Sequence, residues 1–186
     1  MSVFSSLMQR VYRAAFVLSI LIFASAVQAD ELTRGDYQLG SGDKILISVY
    51  GEEDLTIETI LSDSGVINYP FLGELKVAGL TLSGLENLIV GGLKGDYLVN
   101  PNVHVSMLEY RPFFINGEVV RPGGYPFQPG LSISKAAALA QGFTERASES
   151  KIYIVRGDDP TQARVKAELN TKLRPGDIVT VEQSFF

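Results

Sequence analysis

Histidine occurs once in this chain, at position 104, and cysteine and tryptophan not at all. A thiolate nucleophile, a cysteine metal site and a disulfide framework are therefore excluded. A Ser-His-Asp triad would have to use His104 as its base. His104 lies in Val103-His104-Val105-Ser106-Met107, an alternating run that turns the imidazole away from the valine face. No strained nucleophile turn accompanies it, so it reads as a polar, outward-facing residue. Acids are plentiful, 21 in all, and Glu52-Glu53-Asp54 is the densest cluster. A pair of carboxylates can hydrolyse glycosides, but an acidic run at a strand end reads first as a solvated turn. Gly91-Gly92 and Gly123-Gly124 lack the strand–loop–helix setting of a phosphate cradle. These patterns predict no enzyme, no cofactor and no metal.

Two other groups of residues carry more. Gly42-Asp43 and Gly176-Asp177 form an internal echo, each directly before a predicted strand. The glycine suits a tight turn and the Asp carboxylate can accept backbone N–H groups, so both read as turn signatures, with a ligand role as the lesser reading. Tyr110, Arg111, Phe113 and Phe114 concentrate aromatic rings and a guanidinium in one short stretch. Aromatic faces stack on sugar rings, and aromatic residues with Arg are what protein interfaces enrich. Packing at a domain junction, a protein interface and a glycan contact all remain open for these four.

The elements that position these residues follow a leader. Residues 1–29 hold Arg10 and Arg13 but no acid, then an apolar run from Ala14 to Val27, then Val27-Gln28-Ala29. That is the layout of a secretory signal peptide, with cleavage expected between Ala29 and Asp30. The apolar run is shorter than the roughly 20 residues a membrane-spanning helix needs. Removing the leader leaves 14 basic against 21 acidic residues. Such a balance does not suit nucleic acid, whose binding depends on neutralising phosphates. After the leader, Gly and Pro punctuate alternating segments every 8–15 residues, predicting mostly strands with two short helices.

The predicted strands cover 44–50, 56–61 and 66–69, with an extended piece around Leu75 and Val77. A helix opening at Thr81 follows, carrying Leu82, Leu85, Leu88, Ile89 and Leu93 at helical spacing. Val103, Val105 and Met107 alternate as another strand. Beyond Arg111, strands are expected over 113–119, around Tyr125, and over 151–156, 164–169 and 178–182. A helix over 132–140 ends before Gly142. The whole is an α+β chain: a leader (1–29), a strand-rich unit with one helix (35–110), and a unit patterned as a β-grasp (111–183).

The order of these landmarks resembles a known family. Tyr37-Gln38-Leu39-Gly40-Ser41-Gly42-Asp43, Asp63-Ser64-Gly65-Val66-Ile67, Tyr69-Pro70-Phe71-Leu72-Gly73 and Tyr97-Leu98-Val99-Asn100-Pro101-Asn102-Val103 are similar to the polysaccharide biosynthesis/export domain. Ile115-Asn116-Gly117-Glu118-Val119, Arg121-Pro122-Gly123-Gly124-Tyr125, Ala140-Gln141-Gly142-Phe143-Thr144 and Leu173-Arg174-Pro175-Gly176-Asp177 resemble the SLBB (soluble-ligand-binding β-grasp) domain. The resemblance implies an outer-membrane polysaccharide export protein. Such proteins form periplasmic rings that pass capsular polysaccharide or exopolysaccharide outward, with an inner-membrane copolymerase as partner. The pattern departs from the pore-forming members: no cysteine for a lipid anchor, one β-grasp unit, and no C-terminal amphipathic helix after the last strand. This resembles a short periplasmic member, expected to form a homo-oligomer and to need a separate outer-membrane β-barrel. The other expectation is a monomeric periplasmic module that binds a glycan or small ligand. The terminal Phe185-Phe186 does not continue a lipid-facing alternation and reads as an interface or packing feature.

Overall fold

Ile45, Ile47 and Val49 alternate with Lys44, Leu46 and Ser48, and in the computed structural model, which describes residues 37–184, all three are buried. They lie on β1 (Lys44–Val49), the middle strand of a three-stranded antiparallel sheet. Its neighbours are β2 (Ile57–Ile60) and β5 (Val103–Glu109). The β1–β5 register sets Ile47 opposite Val105 and Val49 opposite Val103, joining the apolar faces of both strands. β3 (Val66–Tyr69) and β4 (Gly73–Lys76) form a separate antiparallel hairpin. The acids Glu52, Glu53 and Asp54 are exposed around a 3-10 turn at 53–55, with Leu55 buried beneath them.

Helix α1 (Leu82–Leu93) starts where the Thr81 hydroxyl accepts the Gly84 N–H at 3.0 Å, as the sequence predicts. Leu85, Ile89 and Leu93 recur at helical spacing and are fully buried, packing the helix on β5. These residues complete a first core running from Tyr37 to Val105.

The second core runs from Phe113 to Val181. It lies between a five-stranded sheet and helix α2 (Ile133–Leu139), which is capped by Ser132. The strands are β6 (Phe113–Gly117), β7 (Gly123–Tyr125), β8 (Ala147–Val155), β9 (Arg164–Ala167) and β10 (Ile178–Gln183), in the order β7-β6-β10-β8-β9. β10 runs parallel to β6 and antiparallel to β8. A hairpin, a crossing helix, and a last strand inserted beside the first is the β-grasp arrangement, so the α+β reading holds. The strands expected over 113–119 and 164–169 end two residues early, and β8 begins at Ala147, four residues before the strand expected from Lys151. Ala147-Ser148-Glu149-Ser150 carries no apolar alternation, and it joins the sheet beyond an irregularity in β10, where Gln183 pairs with Ala147. Among the described residues no helix is long and apolar enough to cross a membrane. The leader with its Ala29–Asp30 cleavage point, and Phe185-Phe186, lie outside the described residues.

Candidate functional site: a buried joint and an exposed ring pair

The two Gly-Asp pairs fold into the same turn. Across Gly40–Asp43 the Asp43 N–H donates to the Gly40 carbonyl (3.1 Å), and the Gly40 N–H returns to Asp43 Oδ2 (2.8 Å). Across Arg174–Asp177 the Asp177 N–H donates to the Arg174 carbonyl (3.2 Å), and the Arg174 N–H returns to Asp177 Oδ2 (2.7 Å). The third residue is a left-handed glycine in both, Gly42 at φ 86° and Gly176 at φ 84°, a conformation that costs glycine no Cβ clash. Both aspartates are completely buried. The turn signature read from the sequence is therefore correct, and both oxygens of each carboxylate accept hydrogen bonds.

Asp43 accepts from the Tyr37 hydroxyl (2.6 Å), the Arg111 N–H (2.8 Å) and Arg111 Nη1 (3.2 Å). Asp177 accepts from Arg156 Nη1 (2.7 Å) and the Gly157 N–H (3.2 Å). Burial pushes the Asp177 carboxyl upward, against the opposing pull of the Arg174 N–H and the Arg156 charge. Burial, and then the hydrogen bond to Asp43, push the Tyr37 phenol far above its usual value of 10. The Tyr37 hydroxyl donates to Asp43 and accepts from Arg111.

Arg111 joins the two turns. Besides Asp43 it donates Nε to the Pro175 carbonyl at 3.2 Å, and Nη1 lies 3.2 Å from the Tyr37 oxygen. The guanidinium lies so close to both turns that only glycine fits: a Cβ on Gly40 would come within 1.9 Å of Nη1, and one on Gly176 within 2.9 Å of Nε. Alongside, the Tyr110 ring meets Tyr37 edge-on at 5.1 Å and Phe127 at 5.5 Å, touching both cores. Phe113 is fully buried in the second core, and Phe114 is about half-exposed. Of the four residues singled out at this stretch, Tyr110, Arg111 and Phe113 are occupied within the molecule, and Phe114 presents a ring to solvent.

His104 faces outward, with its side chain 74% exposed and Nδ1 3.1 Å from Glu86 Oε1. The same carboxylate oxygen accepts the Val105 N–H at 2.8 Å. The nearby Ser48 hydroxyl bonds the His104 carbonyl rather than its ring, so the geometry builds no triad.

One feature escaped the sequence reading. At the β3–β4 tip, the Leu72 N–H donates to the Pro70 carbonyl at 2.8 Å, closing a three-residue turn around Phe71. Phe71 has φ 64°, which makes this the rare, strained form of γ-turn, at a cost on the order of 1–3 kcal/mol. The Phe71 ring is nonetheless exposed and pairs with Tyr97 at 5.1 Å. The signal available was an aromatic residue set between Pro70 and Gly73, where turn residues are normally small or polar.

Comparison with known proteins places this geometry. Residues 31–108 match the model of the polysaccharide biosynthesis/export protein family, and residues 112–164 match the SLBB domain. The exopolysaccharide production protein ExoF of Rhizobium meliloti (strain 1021) is 34% identical over 146 residues, 69% of this chain and 34% of its own length. The polysialic acid transport protein KpsD of Escherichia coli is 31% identical over 138 residues, 73% of this chain and 24% of its own. The EPS I polysaccharide export outer membrane protein EpsA of Ralstonia nicotianae (strain ATCC BAA-1114 / GMI1000) is 28% identical over 181 residues, 79% of this chain and 47% of its own. The chain belongs to the polysaccharide export proteins, carrying the family's biosynthesis/export domain followed by an SLBB domain. It spans between a quarter and half of the length of these relatives.

Proposed function

We propose that this chain is a non-catalytic component of a capsular polysaccharide or exopolysaccharide export machine. It is delivered to the periplasm by a leader cleaved between Ala29 and Asp30, and works at the outer membrane as a homo-oligomeric ring. An inner-membrane copolymerase and an outer-membrane β-barrel are its partners, and the polymer is its cargo. The observation that carries this reading is the pairing of a biosynthesis/export domain with an SLBB domain in one chain. The joint at Arg111 supports it. A ring closes only if every subunit repeats the same geometry, and a guanidinium bound to both Asp43 and the Pro175 carbonyl holds the two cores at one angle.

Deleting the gene should abolish surface polysaccharide, and supplying the chain should restore it. Light scattering on the purified protein should give a mass several times that of one chain. Unchanged surface polysaccharide in the deletion strain would overturn the export role. A strict monomer at high concentration, with and without membrane extracts, would overturn the ring.

A further inference from the structure

We infer that Phe71 and Tyr97 form a stacking platform for a sugar ring of the exported polymer, an inference that rests on the export reading above. Phe71 is 65% exposed and Tyr97 49% exposed, yet their centroids are 5.1 Å apart with the planes tilted by 35°. The chain fixes this pair from both sides. One residue before Pro70, the buried Tyr69 bonds the Leu55 carbonyl through its hydroxyl at 2.9 Å. One residue after Phe71, Leu72 rests on Gly92 of α1, where a Cβ would come within 2.8 Å of Leu72 Cδ1. Between these anchors the strained turn drives the Phe71 ring outward, against the burial that would otherwise reward it. Strain of this kind persists where the surrounding structure over-determines it, and it clusters at ligand sites. Tyr97 leaves α1 in a tight loop, its N–H bonded to the Leu93 carbonyl at 3.2 Å, and its hydroxyl reaches the Phe71 carbonyl at 3.4 Å.

The chemistry of the surroundings selects the occupant. Lys94, Asp96, Asn68 and Glu74, which lie within three residues of the two rings along the loop and hairpin, are all exposed and polar, and Val99 is the exposed apolar residue of the same loop. A stable protein interface needs about 1,000 Å² with an apolar centre, and two rings and one valine in a mainly polar loop and hairpin do not supply one. A pyranose has the complementary make-up: an apolar C–H face for the rings and a rim of hydroxyls for the carboxylates, amide and ammonium around them.

The test titrates the purified protein with oligosaccharide fragments of the polysaccharide secreted by the strain that carries the gene, following the ring resonances of Phe71 and Tyr97 by NMR. Both should shift saturably, and Phe71→Ala and Tyr97→Ala should each weaken binding about tenfold. Phe71→Gly separates a ligand role from a structural one, because glycine accepts the left-handed backbone. Its melting temperature should stay within a few degrees of wild type while binding falls. Unshifted rings, unchanged affinity in both alanine variants, or a large loss of stability in Phe71→Gly would each overturn the platform. A fall in oligomer mass in these variants would also overturn it, by making the pair a subunit contact. Restoration of export by the wild-type chain is read separately. If wild type and Phe71→Ala both restore it with equal affinity for the fragments, the platform fails and the export role stands.

Discussion

Asp43 is a buried carboxylate whose charge is balanced by one guanidinium, and the energetics of the joint follow from that. Replacing Arg111 by Ala would leave the charge of a fully buried carboxylate without its counter-ion. We expect a loss of about 3–5 kcal/mol, measured by urea denaturation. Arg111→Lys keeps the charge but not the forked contact with both Asp43 and Pro175, so its loss should fall between wild type and Ala. Tyr37→Phe removes a hydroxyl that donates to Asp43 and accepts from Arg111, and should cost about 1–3 kcal/mol. The sequence shows the echo of Gly42-Asp43 and Gly176-Asp177, and their turn chemistry is legible because a turn is local. That Arg111 bridges them is not legible. Its partners are 68 residues away in one direction and 64 in the other, and no periodicity encodes such a meeting. Phe71 was hidden for another reason: its strain depends on anchors at Tyr69 and Leu72, which hydrophobic patterning treats as ordinary core residues.

Among the elements, the β6–β7 connection and the loop entering β8 are tied by Glu118, which accepts from the Thr144 hydroxyl at 2.5 Å and Arg146 Nη2 at 2.8 Å. The Thr144 hydrogen bond and then that of Arg146 hold the Glu118 carboxyl below its ordinary value of 4.5. A carboxyl held low stabilises the fold at pH values above 4.5, and that contribution disappears as the pH falls through the lowered value. The melting temperature of wild type should therefore exceed that of Glu118→Gln at pH 7, and the difference should shrink below pH 4.5. At the start of α1, Thr81→Ala should cost about 1 kcal/mol by removing the cap, with the effect read from thermal unfolding. Both helix starts were legible, because Thr81 and Ser132 precede apolar residues at helical spacing. The start of β8 was not, since Ala147-Ser148-Glu149-Ser150 carries no apolar alternation and joins the sheet through the pairing of Ala147 with Gln183.

At the level of the molecule, two cores share Tyr110 and the Arg111 joint, so they should unfold together. Calorimetry on wild type should show one transition, and Arg111→Ala should separate it into two, with the β-grasp unit and the first unit melting independently. The same description bears on how copies of the protein can meet. β5 is an edge strand of the first sheet, and Glu86 from α1 takes up its Val105 N–H. Covering one of its backbone donors makes an edge a poorer template for another chain's strand at that point. Growth of the sheet from one molecule to the next is disfavoured at Val105, and β2 forms the other edge of the sheet. Fibre-like stacking of crowded copies through β5 is therefore disfavoured at Val105, where the Glu86 carboxylate acts as a guard against aggregation.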